Sequence, residues 1–122
     1  MIRFIDNYFK HIDDRGSLIG LINEGTWAEI NIITSKKDIV RGNHYHNYTL
    51  ELFIILEGEI EVTVQSIECD SMEKHIVRSG DVFIIEPMIN HIFSVKKDSK
   101  WINALSRKIE QANPDIHRMK IG

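Results

Sequence analysis

The sequence predicts an all-β sandwich or barrel, and three observations carry that expectation. Turn signals recur about every ten residues, the segments between them are rich in Ile, Val and Phe, and one segment alternates strictly between apolar and polar residues. Taken in order, the turn signals are DDRGS at 13–17, NEGT at 23–26, SKKD at 35–38, EGE at 57–59, ECDS at 68–71, RSGD at 78–81 and KKDS at 96–99. In the first, Gly16 supplies the positive φ that a tight turn requires.

The alternating segment is EIEVTVQ, Glu59 to Gln65. Ile60, Val62 and Val64 lie on one face, and Glu59, Glu61, Thr63 and Gln65 on the other, so one side meets a core and the other meets water. ELFIIL at 51–56 and DVFII at 81–85 are instead apolar on both faces. Such strands are covered on both sides, by a second sheet or a second subunit, and a homodimer is expected. Trp27 and Trp101 each fall on a predicted strand as core or interface aromatics. The tail SRKIEQANPDIHRMKIG breaks the strand rhythm, and Pro114 stops any helix there. Residues 107–122 therefore read as an extended or single-turn segment wrapping the body.

At 122 residues the chain suits one domain, 1–122, able to bury a core without a disulfide or structural metal. Lys and Arg number 15 against 18 Asp and Glu, for a net charge of −3, and no dense basic block could neutralise a row of phosphates. Nucleic acid is not an expected partner. The single Cys69 cannot form an internal disulfide and reads as a loop or packing residue, which suits a reducing compartment. MIRFIDNYFKHIDDRG carries charge throughout and is no signal peptide. The longest apolar run, Leu52 to Leu56, is far short of the ~20 residues that span a membrane. A cytoplasmic protein without membrane association is expected.

Chemistry concentrates in DIVRGNHYHNYTLELFIILEGEIEV. His44 and His46 stand two apart, which in a strand places both on one face. A hairpin through NYTL would return Glu51 beside them, and His91, opening HIFSV, offers a fourth group. Three imidazoles and a carboxylate suit one divalent ion such as Zn, Fe, Mn, Ni or Co, with positions left for water or a substrate oxygen. Taken alone, the His-x-His pair also fits solvated histidines at a strand edge.

GNHYHNYTLELFIILEG resembles the first motif of the cupin superfamily, with Gly42, His44, His46, Glu51 and Gly58 at that motif's positions. GDVFIIEPMINH resembles the second, with Gly80 and His91 at its glycine and histidine. Pro87 sits one position late, Met88 stands where a glycine is usual, and Val95 where an asparagine is usual. The resemblance implies a double-stranded β-helix, or jelly-roll barrel, closed by two facing sheets. Its motifs span about 42–58 and 80–95, and His44, His46, Glu51 and His91 are its metal ligands. One such barrel hosts many reactions.

Flanking stretches narrow the reaction. DDRGSL at 13–18 and RGNHYH at 41–46 resemble the paired signatures of cupins that act on nucleotide-activated sugars, the rhamnose-pathway 3,5-epimerases and the dTDP-sugar 3,4-ketoisomerases. NPDIH at 113–117, together with GNHYH, resembles the C-terminal cupin of capsular-polysaccharide enzymes that epimerise a UDP-4-keto sugar. These resemblances imply an isomerase of surface-polysaccharide biosynthesis with a nucleotide sugar as substrate. They make Arg41 a diphosphate contact, since guanidinium pairs bidentately with phosphate, and let Arg15 reach substrate while shaping its turn. A surface salt bridge is the competing role for Arg41.

Under the same resemblance His44 is contested. It is the base in the rhamnose epimerases and a ligand in metal-binding cupins, and His46 with Glu51 favours the ligand. A separate base is then required, for which Tyr48 and His75 are the candidates. Tyr45 alternates with the histidines and points away from them, while His11 and His117 lie near the termini in solvent. A small metal-dependent dioxygenase using the same ligands at Fe, a non-catalytic sugar-binding cupin, and a barrel that only dimerises or supports a partner enzyme are the other readings.

Overall fold

Two long strands organise the molecule, described over residues 1–118 in a computed structural model. β6 (Glu51–Ser66) and β9 (Ile89–Leu105) pair with each other antiparallel along nearly their whole lengths. Short strands flank them. The order β1 (Ile2–Phe4), β8 (Val82–Ile85), first part of β6, last part of β9, β4 (Glu29–Ser35) makes one layer. β7 (Met72–Arg78), the rest of β6, the start of β9 and β5 (Val40–His44) make the other. β2 (Phe9–Asp13) and β3 (Gly16–Gly20) form a separate hairpin. The fold is the all-β cupin barrel.

The turns expected at 57–59 and 96–99 are not turns. Both strands run through these positions, and the register slips between Ile55 and Ile60, so the ladder is bulged rather than broken. Extra residues bend a strand and increase its twist, and here they carry β6 and β9 from one layer into the other. Gly58, with φ +99°, sits at the bend against Ser99, whose Oγ accepts the Glu59 N–H at 3.2 Å. A turn and a bulge both demand a positive-φ glycine, so the local sequence does not distinguish them.

The layers enclose a core of Phe53, Ile55, Ile60, Val62, Val64, Val77, Phe83 and Trp101 with their neighbours. Phe93 sits at its centre, with its ring 4.9 Å from Phe53 and 5.5 Å from Trp101. The alternation of 59–65 is realised, since Ile60, Val62 and Val64 are fully buried. The second faces of β6 and β8 are covered by the chain itself: Leu52, Val82, Ile84 and Ala104 pack under Ile5, Leu21, Ile22 and Trp27. A second subunit is not needed to cover these strands. Trp27 lies in the loop before β4 rather than on a strand, with its indole N–H donated to the Glu24 carbonyl at 3.2 Å.

Beyond Leu105 the chain leaves the sheet. The Ile109 N–H reaches Glu29 Oε1 at 3.1 Å, a turn follows at 111–113, and His117 forms an isolated antiparallel bridge with Tyr45. The last part of the tail, 119–122, lies outside the described residues. No helix among the described residues is long and apolar enough to cross a membrane.

Candidate metal centre

His44 ends β5, and its main-chain partner is His91 on β9, so the two rings stand beside each other with centroids 4.6 Å apart. β5 does not form a hairpin with β6. Glu51 instead enters from the opposite layer as the first residue of β6. The β5 end is irregular: Gly42 and Asn43 both have positive φ, and the register shifts between Gly42 and His44. A Cβ on Gly42 would come within 2.7 Å of the His91 carbonyl oxygen, so glycine permits the close approach.

His46 lies past the end of the strand. Its ring is 5.2 Å from that of His44, and Glu51 Oε1 contacts its Nε2. The same oxygen is 3.4 Å from His91 Nε2 and 3.9 Å from His44 Nε2. One ligand atom from each of the four residues falls within 4.8 Å of the others.

Hydrogen bonds set which face each imidazole presents. His91 Nδ1 donates to the Ile89 carbonyl at 3.2 Å, and His46 Nδ1 donates to the Asp115 carbonyl. A carbonyl only accepts, so both Nδ1 atoms carry a proton: in the neutral ring the Nε2 lone pair is turned to the cluster, and in the charged ring Nε2–H donates to Glu51. The Asn103 amide donates to Glu51 Oε2 at 3.0 Å and holds the carboxylate from behind. Outer partners of this kind orient metal ligands. The donor set, three imidazole nitrogens and one carboxylate oxygen, fits a divalent ion.

Electrostatics keep His44 neutral and Glu51 charged, whereas Glu51 favours a second proton on His46 in the metal-free cluster. Burial, reinforced by His91, pushes His44 down to about 4 despite the pull of Glu51. Burial opposes charge on Glu51, but hydrogen bonds from His46 and His91 outweigh it and hold the carboxyl well below the usual range. For His46, burial is outweighed by the Glu51 hydrogen bond, and its pKa is raised.

The His44 shift has a measurable consequence. Between the ordinary histidine value near 6.5 and the folded value of about 4, the unfolded chain takes up a proton that the folded chain refuses, so stability falls as pH falls through that window. In chelator-treated protein the contribution is at most about 1.4 kcal/mol per pH unit. Urea titrations at pH 7, 6 and 5 should show it, and His44→Gln should flatten that part of the slope.

The cluster lines a cavity of about 240 Å³ together with Phe53, Phe93, Trp101 and Leu105, with Ile109 and Ile116 of the tail also on its lining. Arg41 lines it too. Its guanidinium donates to Ser35 Oγ and, at 3.1 Å, to the Thr34 carbonyl, and it forms no ion pair among the described residues. The other candidates lie elsewhere. Arg15 projects from the β2–β3 hairpin into solvent and pairs with Asp13 at 2.6 Å. Tyr48 is exposed, with the Arg107 guanidinium 5.3 Å from its ring centroid. His75, on β7, packs against Phe4 of β1, with ring centroids 5.3 Å apart. None of these three lines the cavity that holds the cluster.

Met88, in the place of the usual glycine, keeps the left-handed backbone at φ +67° and donates its N–H to the His46 carbonyl at 2.7 Å. Sequence reasoning passed over Asn103 and Asp115. Asn103 could have been found by the strand period, since Trp101, Asn103 and Leu105 share one inward face. Asp115 lies on an irregular segment and carries no such signal.

Residues 11–104 match the family model described as the polysaccharide biosynthesis C-terminal domain. Among curated proteins, a UDP-2-acetamido-2,6-beta-L-arabino-hexul-4-ose reductase of Pseudomonas aeruginosa is 20% identical over 116 residues, covering 92% of this chain. The chain spans 31% of that relative's length. Among solved structures, a 3,4-ketoisomerase from Helicobacter canadensis superposes with a TM-score of 0.75 at 19% identity, covering 98% of this chain and 90% of that one. The Mycobacterium tuberculosis rmlC epimerase superposes with a TM-score of 0.80 at 14% identity, covering 97% and 68%.

Proposed function

Because the chain belongs to the polysaccharide biosynthesis C-terminal domain family, we propose that it acts on a nucleotide-activated keto sugar as an epimerase or isomerase of surface-polysaccharide synthesis. In this reading His44, His46, Glu51 and His91 hold one divalent metal. The observation that carries it is the convergence of three Nε2 atoms on Glu51 Oε1 on the wall of a largely apolar cavity.

Such a reaction removes a proton next to a carbonyl and returns it on the other face or at a neighbouring carbon. A bound divalent ion would supply Lewis-acid stabilisation of the enolate oxygen. The chain's own contribution is shape and orientation. At about 240 Å³ the cavity lies below the ~300–1,000 Å³ of typical ligand sites, so it admits the sugar and leaves the nucleotide outside. Phe53, Phe93 and Trp101 exclude water around the reacting carbons. Arg41, anchored on Ser35 and Thr34 and lining the cavity, would meet the diphosphate.

A second reading makes His44 the base. It is the most exposed of the four, at 25% against 5% or less for the others, and the farthest from Glu51. Its low pKa favours the ligand role, since a base works best with a pKa near the operating pH.

Incubation with dTDP- and UDP-4-keto sugars in D₂O, followed by NMR, tests the proposal. Deuterium should appear beside the carbonyl, and chelation should slow its arrival by at least ~10²-fold. Exchange that survives chelation assigns the chemistry to His44 as base. No exchange with any such sugar in metal-loaded protein overturns the proposed function.

A further inference from the structure

We propose that Asp115 is a positioning residue for His46: its carboxylate clamps the loop 47–49 while its main-chain carbonyl fixes the imidazole with Nε2 toward Glu51. His46 belongs to no strand, so the sheet does not dictate where its ring points. The tail does so. Asp115 Oδ1 accepts the Asn47 N–H at 2.8 Å, and Oδ2 accepts the Tyr48 and Thr49 N–H groups at 2.8 and 3.0 Å and the Thr49 hydroxyl at 2.9 Å. His117 Nε2 lies 3.1 Å from Oδ1.

Only a carboxylate suits this position. Its two oxygens offer about four acceptor sites and no donor, whereas an asparagine would turn an N–H₂ toward N–H groups. With the side chain pinned to the loop that follows His46, the residue's own carbonyl is delivered to His46 Nδ1. The Tyr45–His117 bridge, with N···O distances of 2.8 and 2.9 Å, ties the tail down on the far side. One residue therefore fixes both the path of the loop and, through the Nδ1 proton, the orientation of the ring, 69 positions away in sequence.

The value of His46 as a ligand rests on the function proposed above; the orientation of its ring does not. The test is made on full-length, metal-free protein labelled with ¹⁵N-histidine, at pH 9, where long-range ¹H–¹⁵N correlations show which ring nitrogen carries the proton. Wild type should show His46 protonated at Nδ1. Asp115→Ala should shift the population toward the Nε2–H form, and zinc affinity, read by competition with a chromophoric chelator, should fall about 10–100-fold. Asp115→Asn, which retains one acceptor oxygen, should lie between the two and serves if the alanine variant does not fold.

A wild-type His46 protonated at Nε2 and not at Nδ1 overturns the proposal without any variant. So does an Asp115→Ala or Asp115→Asn protein with the wild-type tautomer. A tautomer shift in a protein that binds no zinc in either form supports the positioning role and overturns the metal reading.

Discussion

Glu51→Ala is expected to reduce bound divalent metal from about one equivalent to background, and proton exchange at the sugar by ~10³-fold or more. The carboxylate is the only anionic member of the cluster, it is buried, and one of its oxygens faces all three Nε2 atoms. Its removal leaves three neutral donors that still surround the position but no longer offset the charge of a dication. Glu51→Gln separates charge from packing. It preserves volume and hydrogen bonding capacity near Asn103 but not the charge, so it should lose metal as the alanine variant does while keeping the wild-type circular dichroism. Metal analysis of Glu51→Ala, Glu51→Gln and His46→Ala checks this. Unchanged metal content in all three refutes the ligand assignment.

Gly58→Ala should destabilise the fold by about 2–6 kcal/mol, read as a lowered urea midpoint. Two costs add. At φ +99° a side chain is strained whatever the space, worth roughly 1–3 kcal/mol. The new Cβ would also lie 2.6 Å from Ser99 Cβ and 2.7 Å from the Asp98 carbonyl oxygen, so β6 and β9 must part at the bend, a further ~1–3 kcal/mol. Gly80 separates the two contributions. It has a similar φ of +94° with nothing within 4 Å of an added Cβ, so Gly80→Ala should show the strain alone. Equal losses at the two positions would refute the crowding at the bend. Shortening the obstacle in Gly58→Ala/Ser99→Gly should recover part of the difference.

The parts of the fold legible in the sequence were those with a local physical signature. Val62 and Val64 announce their face by period two, and the apolar pairs in 51–56 and 81–85 announce strands covered on both sides. What covers them was not legible, because Leu21, Ile22 and Trp27 lie on an irregular segment with no period. The two mistaken turns have a related cause: EGE and KKDS carry turn composition, and only the long ladder between β6 and β9 shows that the chain passes through them as strand.

The candidate site divides along the same line. Residue types and spacing, together with the cupin-motif resemblance, bring forward His44, His46, Glu51 and His91 as candidate donors, because donor chemistry resides in side-chain identity. How they meet is a property of the tertiary structure. His44 pairs with His91 across β5 and β9, Glu51 arrives from the other layer, and Asn103 and Asp115 lock the carboxylate and one ring from far along the chain. Periodicity is written residue by residue and survives in any short segment. Strand pairing, ring tautomer and the back side of a carboxylate depend on groups that only folding brings within hydrogen-bond reach.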